Sequence, residues 1–127
     1  MIVVDTSVIL AAFDGNDALH ARSRGFFQQT VGPFVVSPFV LAEVDYLVMK
    51  RRGTAAEIAV LRALSASPFA MVAAEQELVA DCLAVLDRPG HAGLGLADAS
   101  LIAISESLDV PIATFDRRHF PQAQLPA

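Results

Sequence analysis

MIVVDTS, residues 1–7, is the stretch from which the fold can be read. Ile2, Val3 and Val4 run straight into Asp5; two hydroxyl residues, Thr6 and Ser7, follow, and then an apolar run, Val8–Phe13. A short, β-branched run without alternation suits a strand covered on both faces, as in a parallel sheet. The residues after it read as a turn and then a helix. In open parallel sheets ligands bind beyond the carboxyl ends of the strands, near the switch in strand order. Asp5 is expected at such an edge.

The same pattern recurs along the chain. Asp14-Gly15-Asn16-Asp17 is a turn signal, and Asp17 is placed to cap a helix over Ala18–Thr30. Gly32-Pro33 breaks that helix, and Phe34-Val35-Val36-Ser37 reads as a second strand. Pro38 suits the first turn of a helix running to about Arg52. Gly53-Thr54 ends it and opens another, Ala55–Ser65. Phe69–Val72 is a third strand, Glu75–Leu86 a helix, Arg88–Gly95 a glycine-rich loop, and Ala97–Leu108 a further helix. Pro111–Phe115 is a fourth strand ending at Asp116, and the tail, Arg117–Ala127, reads as mostly irregular. Strands alternating with helices argue for a parallel sheet flanked by helices, and right-handed crossovers restrict its topology. The doubly wound order 3-2-1-4 fits the element order and sets the strands that lead into Asp5 and Asp116 side by side.

At 127 residues the chain is expected to form one domain, residues 1–127, with a substantial core. Its hydrophobic fraction is 54%. No stretch approaches the roughly 18 uninterrupted apolar residues of a membrane helix. The N-terminus lacks the basic region and long apolar segment of a signal peptide. The apolar surplus therefore points to a subunit or partner interface. The single cysteine, Cys82, has no internal partner and fits a reducing cytoplasm. A net charge of −5 argues against a plain nucleic-acid-binding module. It leaves room for a nuclease, because divalent cations supply positive charge where acids cluster.

Asp5 and Asp116 each follow an apolar strand directly. In the helix Pro38–Arg52 the apolar stripe is Val40, Leu41, Val44, Leu47 and Val48; at about 100° per residue, Glu43 lies at one margin and Asp45 at the other. Spacing does not choose between them. Asp98 opens the helix after the glycine loop, where an acid also serves the helix dipole. Clustered carboxylates repel one another and resist burial. A cation relieves this, and oxygen-only ligands suit Mg²⁺ or Mn²⁺.

Taken together, DTS at residues 5–7, SPFVLAEVDYL at 37–47, GLADASLIA at 95–103 and TFDRRHF at 114–120 resemble the PIN domain, most of all the VapC-type toxins of bacterial toxin–antitoxin pairs. The resemblance covers nearly the whole chain. It implies an α/β/α sandwich on a parallel sheet of four to five strands, and a Mg²⁺- or Mn²⁺-dependent endoribonuclease leaving 5′-phosphate and 3′-hydroxyl ends. The family's acidic residues match Asp5, Glu43, Asp98 and Asp116, and this match alone favours Glu43 over Asp45. Asp5 and Asp116 are the expected primary ligands, with Glu43 and Asp98 ligating or orienting water. Thr6, Ser7 and Thr114 fall at family hydroxyl positions and, with Arg117 and Arg118, are candidates for contact with RNA. The resemblance also implies a homodimer and a cognate VapB-type antitoxin. Family members commonly continue past the fourth acid into a fifth strand, whereas this sequence runs only to Ala127, so an incomplete sheet edge is expected.

Other residues read more plainly. His91, His119, Arg22 and Arg24 are expected at the surface; Phe26, Phe27 and Phe39 in the core or an interface. Phosphatases of the haloacid dehalogenase kind want a second aspartate where Ser7 stands. Response-regulator receivers want an aspartate where the third strand runs into Val72-Ala73-Ala74. The non-enzymatic alternative is a PIN-like scaffold that only binds protein or RNA.

Overall fold

The structure, a computed structural model, describes residues 1–120. Its elements are β1 (Ile2–Val4), α1 (Thr6–Phe13), α2 (His20–Gln29), β2 (Phe34–Val36), α3 (Pro38–Arg52), α4 (Thr54–Leu64), β3 (Phe69–Met71), α5 (Gln76–Leu86), α6 (Leu96–Leu108) and β4 (Ile112–Ala113). The four strands form one parallel sheet in the order β3-β2-β1-β4. The expected order therefore holds, with helices completing an α/β sandwich. Among the described residues the sheet has four strands; a fifth, and most of the tail, would fall at 121–127, outside them.

The order follows from burial. Val3 and Val4 of β1 and Val36 of β2 have no exposed surface, so the two inner strands must be covered on both faces. Right-handed crossovers put the helices of the β1–β2 and β2–β3 connections on one face and α5 and α6, which link β3 to β4, on the other. Phe26 and Phe27 of α2 pack edge-on against Phe34, and Phe69 of β3 joins them, closing one side of the sheet. Val8, Ile9, Val40, Val44, Val60 and Leu64 complete the same core. Leu101 and Ile104 of α6, with Leu78, Cys82 and Val85 of α5, fill the other.

Three elements depart from the sequence reading by more than one residue at a boundary. The second helix begins at His20, not Ala18, because Asp17 Oδ1 accepts from the Leu19 amide in a tight turn before the helix starts. The first begins earlier, at Thr6, with the Asp5 carboxylate accepting from the Thr6 amide. The fourth strand is only Ile112–Ala113, because the Thr114 hydroxyl accepts from the Asp116 amide and curls the chain out of the sheet. Asp116 thus sits in a turn beyond the strand. Gly53 (φ +86°) ends α3 and starts α4 in one residue, a conformation that only glycine adopts without strain.

Leu101 is wholly buried under the sheet, whereas Val31 in the α2–β2 loop is 89% exposed. Leu101→Ala should lower unfolding free energy by about 2–5 kcal/mol in urea titration. Val31→Ala should stay within about 0.5 kcal/mol. A Leu101→Ala loss as small as that at Val31 would show that α6 does not pack as described.

Candidate active site

Asp5 ends the central strand and is only 5% exposed. Its Oδ1 accepts from the Thr6 amide at 2.7 Å. Its Oδ2 accepts from the Ser7 hydroxyl at 2.9 Å and the Thr114 hydroxyl at 2.6 Å. Each hydroxyl accepts in turn: Thr114 Oγ1 from the Asp116 amide at 2.9 Å, Ser7 Oγ from the Phe115 amide at 3.3 Å. Two parallel relays therefore tie the turn after β4 to the Asp5 carboxylate. Burial pushes the Asp5 carboxyl above its ordinary range, the Asp116 charge adds to this, and the three hydrogen bonds work against it.

Asp116 is anchored by its own turn. Oδ1 accepts from the amides of Arg118 and His119 at 2.9 and 3.1 Å, and Oδ2 accepts from His119 Nδ1 at 2.8 Å. Partial burial raises this carboxyl, but the hydrogen bonds outweigh burial and hold it below the usual range. Asp98 stands in the first turn of α6, after Gly95, whose positive φ (+89°) lets the loop enter the helix. Its pKa is raised to about 6, first by desolvation, then by the charges of Asp5, Asp116 and Glu43, against an opposing effect of His119. Glu43, exposed on α3, thus faces the cluster. Asp45 lies instead against Glu57 of α4, whose carboxyl it pushes up through a shared hydrogen bond and its charge.

Beneath the acids, α3 and α6 are joined by a buried relay. The Phe39 amide donates to Ser37 Oγ, Ser37 and Ser100 share a hydrogen bond of 2.6 Å, and the Ser100 hydroxyl donates to the Ala97 carbonyl at 2.6 Å. Ser37 is also the N-cap of α3. Nothing in the sequence pattern marks Ser100.

Thr6 and Thr114, expected at the substrate, are instead walled off from solvent, and the Thr114 hydroxyl is spent on Asp5. Ser7 is half-buried and bonded the same way. The Ser7 and Thr114 hydroxyls position carboxylate and turn, whereas Thr6 acts through its backbone amide and its hydroxyl has no hydrogen-bond partner among the described residues. Arg117 and Arg118 are exposed beside Asp116. Arg22, expected at the surface, is half-buried with its guanidinium 5.4 Å from the centre of the Phe115 ring. His91 is anchored by its Nδ1 to the Val85 carbonyl, away from the acids.

The donor set suits a divalent cation. The charges of Asp5, Asp116 and Glu43 all bear on Asp98, and a ligand atom from each of Asp98, Asp116 and His119 lies within 4.8 Å of the others.

A parallel 3-2-1-4 sheet that gathers aspartates at its carboxyl edge is the design of PIN-domain proteins. The chain belongs to the PIN domain family, whose model matches residues 2–124. It is 33% identical over 120 residues to Ribonuclease VapC26 of Mycobacterium tuberculosis, covering 94% of this chain and 89% of that protein. Its fold is shared with VapC20 of the same organism, described as a sarcin-ricin loop cleaving toxin (TM-score 0.88, 20% identity, 100% of this chain and 98% of that one). A toxin–antitoxin complex from Klebsiella pneumoniae also shares it (TM-score 0.76, 17% identity, 99% and 97% covered).

The raised Asp98 pKa carries a sign. Its folded-state value of about 6 lies above the ordinary aspartate value of 3.8, so the folded chain binds more protons between the two. Stability falls as pH rises through that window, and the penalty is full above it. With chelator present, Asp98→Asn should therefore raise Tm at neutral pH, and the gain should vanish below about pH 4. A gain independent of pH would assign the effect to packing.

Proposed function

We propose that this PIN-domain chain, working as one unit, is the toxin ribonuclease of a VapBC-type pair and cleaves RNA internally at the acidic edge of its sheet. The observation that carries the reading is the convergence of Asp5, Glu43, Asp98 and Asp116, from four separate parts of the chain, on one solvent-facing edge. These four residues would hold Mg²⁺ or Mn²⁺. When bound, such an ion supplies a Lewis acid that acidifies water and neutralises charge on phosphoryl oxygens.

The remaining contributions belong to the chain. Ser7 and Thr114 hold Asp5 in one orientation, and the amides of Arg118 and His119 do the same for Asp116. The Ser37–Ser100 pair keeps α3, with Glu43, at a set distance from α6, with Asp98. Exposed Arg117 and Arg118 suit contact with RNA phosphates, which a chain of net charge −5 needs locally.

We assign the partners on similar grounds. Val79 and Leu83, one turn apart on α5, are 49% and 58% exposed and suit a homodimer interface. The groove between α1, α3 and α4, lined by Leu10, Phe13, Leu47 and Val60 with Arg51 and Arg52 at its rim, suits an amphipathic antitoxin segment. Among the described residues no helix is long and apolar enough to cross a membrane. RNA as substrate makes the cytoplasm the place of action.

Sequencing of RNA ends after induced expression tests the activity. Asp5→Asn and Asp116→Asn should each lower cleavage by at least about 100-fold, a loss of about 2.7 kcal/mol or more in transition-state stabilisation. Glu43→Gln should harm cleavage far more than Asp45→Asn, because Asp45 faces Glu57. Wild-type cleavage in Asp5→Asn would remove the site assignment. Light scattering tests assembly: the isolated chain should be a dimer at micromolar concentration, and should gain mass and lose activity with the neighbouring gene product. A monomer unaffected by that product would remove both partners.

A further inference from the structure

Tyr46 is the only tyrosine of a chain that has no tryptophan, and it stands on the solvent face of α3, 55% exposed. That face begins at the acidic edge. Glu43, whose charge bears on Asp98, lies three residues before Tyr46, and Lys50 lies four residues after it. At about 1.5 Å of rise and about 100° per residue, Tyr46 is about 5 Å and Lys50 about 10 Å further along the helix than Glu43, all three within about 60° of arc. Glu43 and Lys50 are exposed as well, whereas Val40, Val44 and Val48 on the far side of the helix are buried. Helix α3 therefore presents an acid, an aromatic ring and a cation in a row that leads away from the acidic edge.

The ring and the cation are neighbours: Lys50 Nζ lies 5.7 Å from the centre of the Tyr46 ring. Arg52, at the end of the same helix, is engaged with Asp14, but Lys50 makes no ion pair among the described residues. Asp45, next to Tyr46 in sequence, is turned about 100° away around the helix and lies against Glu57. A single RNA strand passing a cluster of carboxylates needs a flat face for its bases and positive charge for its phosphates. An exposed aromatic ring beside a cation free of carboxylates supplies both.

We propose that the exposed face of α3 is a track on which RNA runs past the acidic edge, with a base stacked on Tyr46 and a neighbouring phosphate on Lys50. The inference rests on the reading of that edge as the site of RNA cleavage, and adds to Arg117 and Arg118 a substrate contact made by a different part of the chain. Stacking on an aromatic ring tolerates any base, so Tyr46 contributes affinity and placement of the strand and not base choice.

The test uses the chain's own fluorescence. With one tyrosine and no tryptophan, its ultraviolet emission reports on Tyr46 alone. A twelve-nucleotide oligoadenylate added at low salt to Asp116→Asn, which should hold RNA with little cutting, should quench that emission saturably. An abasic ribose-phosphate strand of the same length should not. In fluorescence anisotropy with a dye-labelled oligoadenylate, Tyr46→Leu should weaken binding at least about fivefold, and Tyr46→Phe should restore it. Lys50→Gln should flatten the dependence of log affinity on log salt by about 0.7, the loss of one phosphate contact. In RNA cleavage, Tyr46→Leu should raise KM more than it lowers kcat. Absence of quenching, equal quenching by the abasic strand, or unchanged affinity in Tyr46→Leu overturns the track. A change in the mass of Tyr46→Leu by light scattering assigns the ring to a contact between chains and overturns it too. Quenching by oligoadenylate, with no RNA cleaved by the wild-type chain, overturns the nuclease reading and leaves the binding face standing. The quenching measurement leaves Tyr46 in place, so it decides alone should Tyr46→Leu fail to fold.

Discussion

Asp5 keeps a carboxylate almost out of water at the end of the central strand, and the rest of the site follows from what that requires. A buried carboxylate needs donors. One is the amide that opens α1, and the other two are hydroxyls that each accept from a backbone amide of the turn beyond β4. Satisfying Asp5 and docking that turn are therefore a single event. The turn carries Asp116, so the positions of the two acids are coupled through hydroxyl groups and not through contact between the carboxylates.

The other half of the site is held differently. Asp98 and Glu43 come from separate helices, and their negative charges oppose their approach. What keeps α3 and α6 together is neutral: two buried serines in a fully satisfied relay, set below the charges and out of solvent. The site is consequently uneven. Asp116 is stabilised as an anion by its own turn, whereas burial, and after it the charges of neighbouring acids, raise the pKa of Asp98 to about 6. A cation entering the cluster relieves the strain on the side where it is greatest.

Much of this could be read from the sequence, for local reasons. Short apolar runs separated by helical lengths carry the parallel sheet, and the doubly wound order fits their sequence. The four motifs at residues 5–7, 37–47, 95–103 and 114–120 carry the family. What could not be read depends on contacts between distant segments. Glu43 and Asp45 flank the same stripe of α3, and helical spacing does not choose between them; that Asp45 lies against Glu57 depends on the packing of α4. Thr114 has the β-branched character of a strand residue, yet its hydroxyl ends the strand. His119 is exposed, as its sequence reads, but its bond to Asp116 depends on the turn that the aspartate makes. Ser100 is one small residue among several on α6, and its significance lies wholly in Ser37, 63 positions away.

The hydrogen bond from Thr114 to Asp5 spans 109 residues, and β1, the strand between β2 and β4, lacks one of its two neighbours until Ile112 and Ala113 arrive. Such long-range closure is late in assembly, since loop entropy is lost before the contact forms. A chain interrupted before β4 has an open edge on its central strand and an aspartate short of a donor. An acidic edge assembled from both ends of the chain is therefore complete only once the fold has closed.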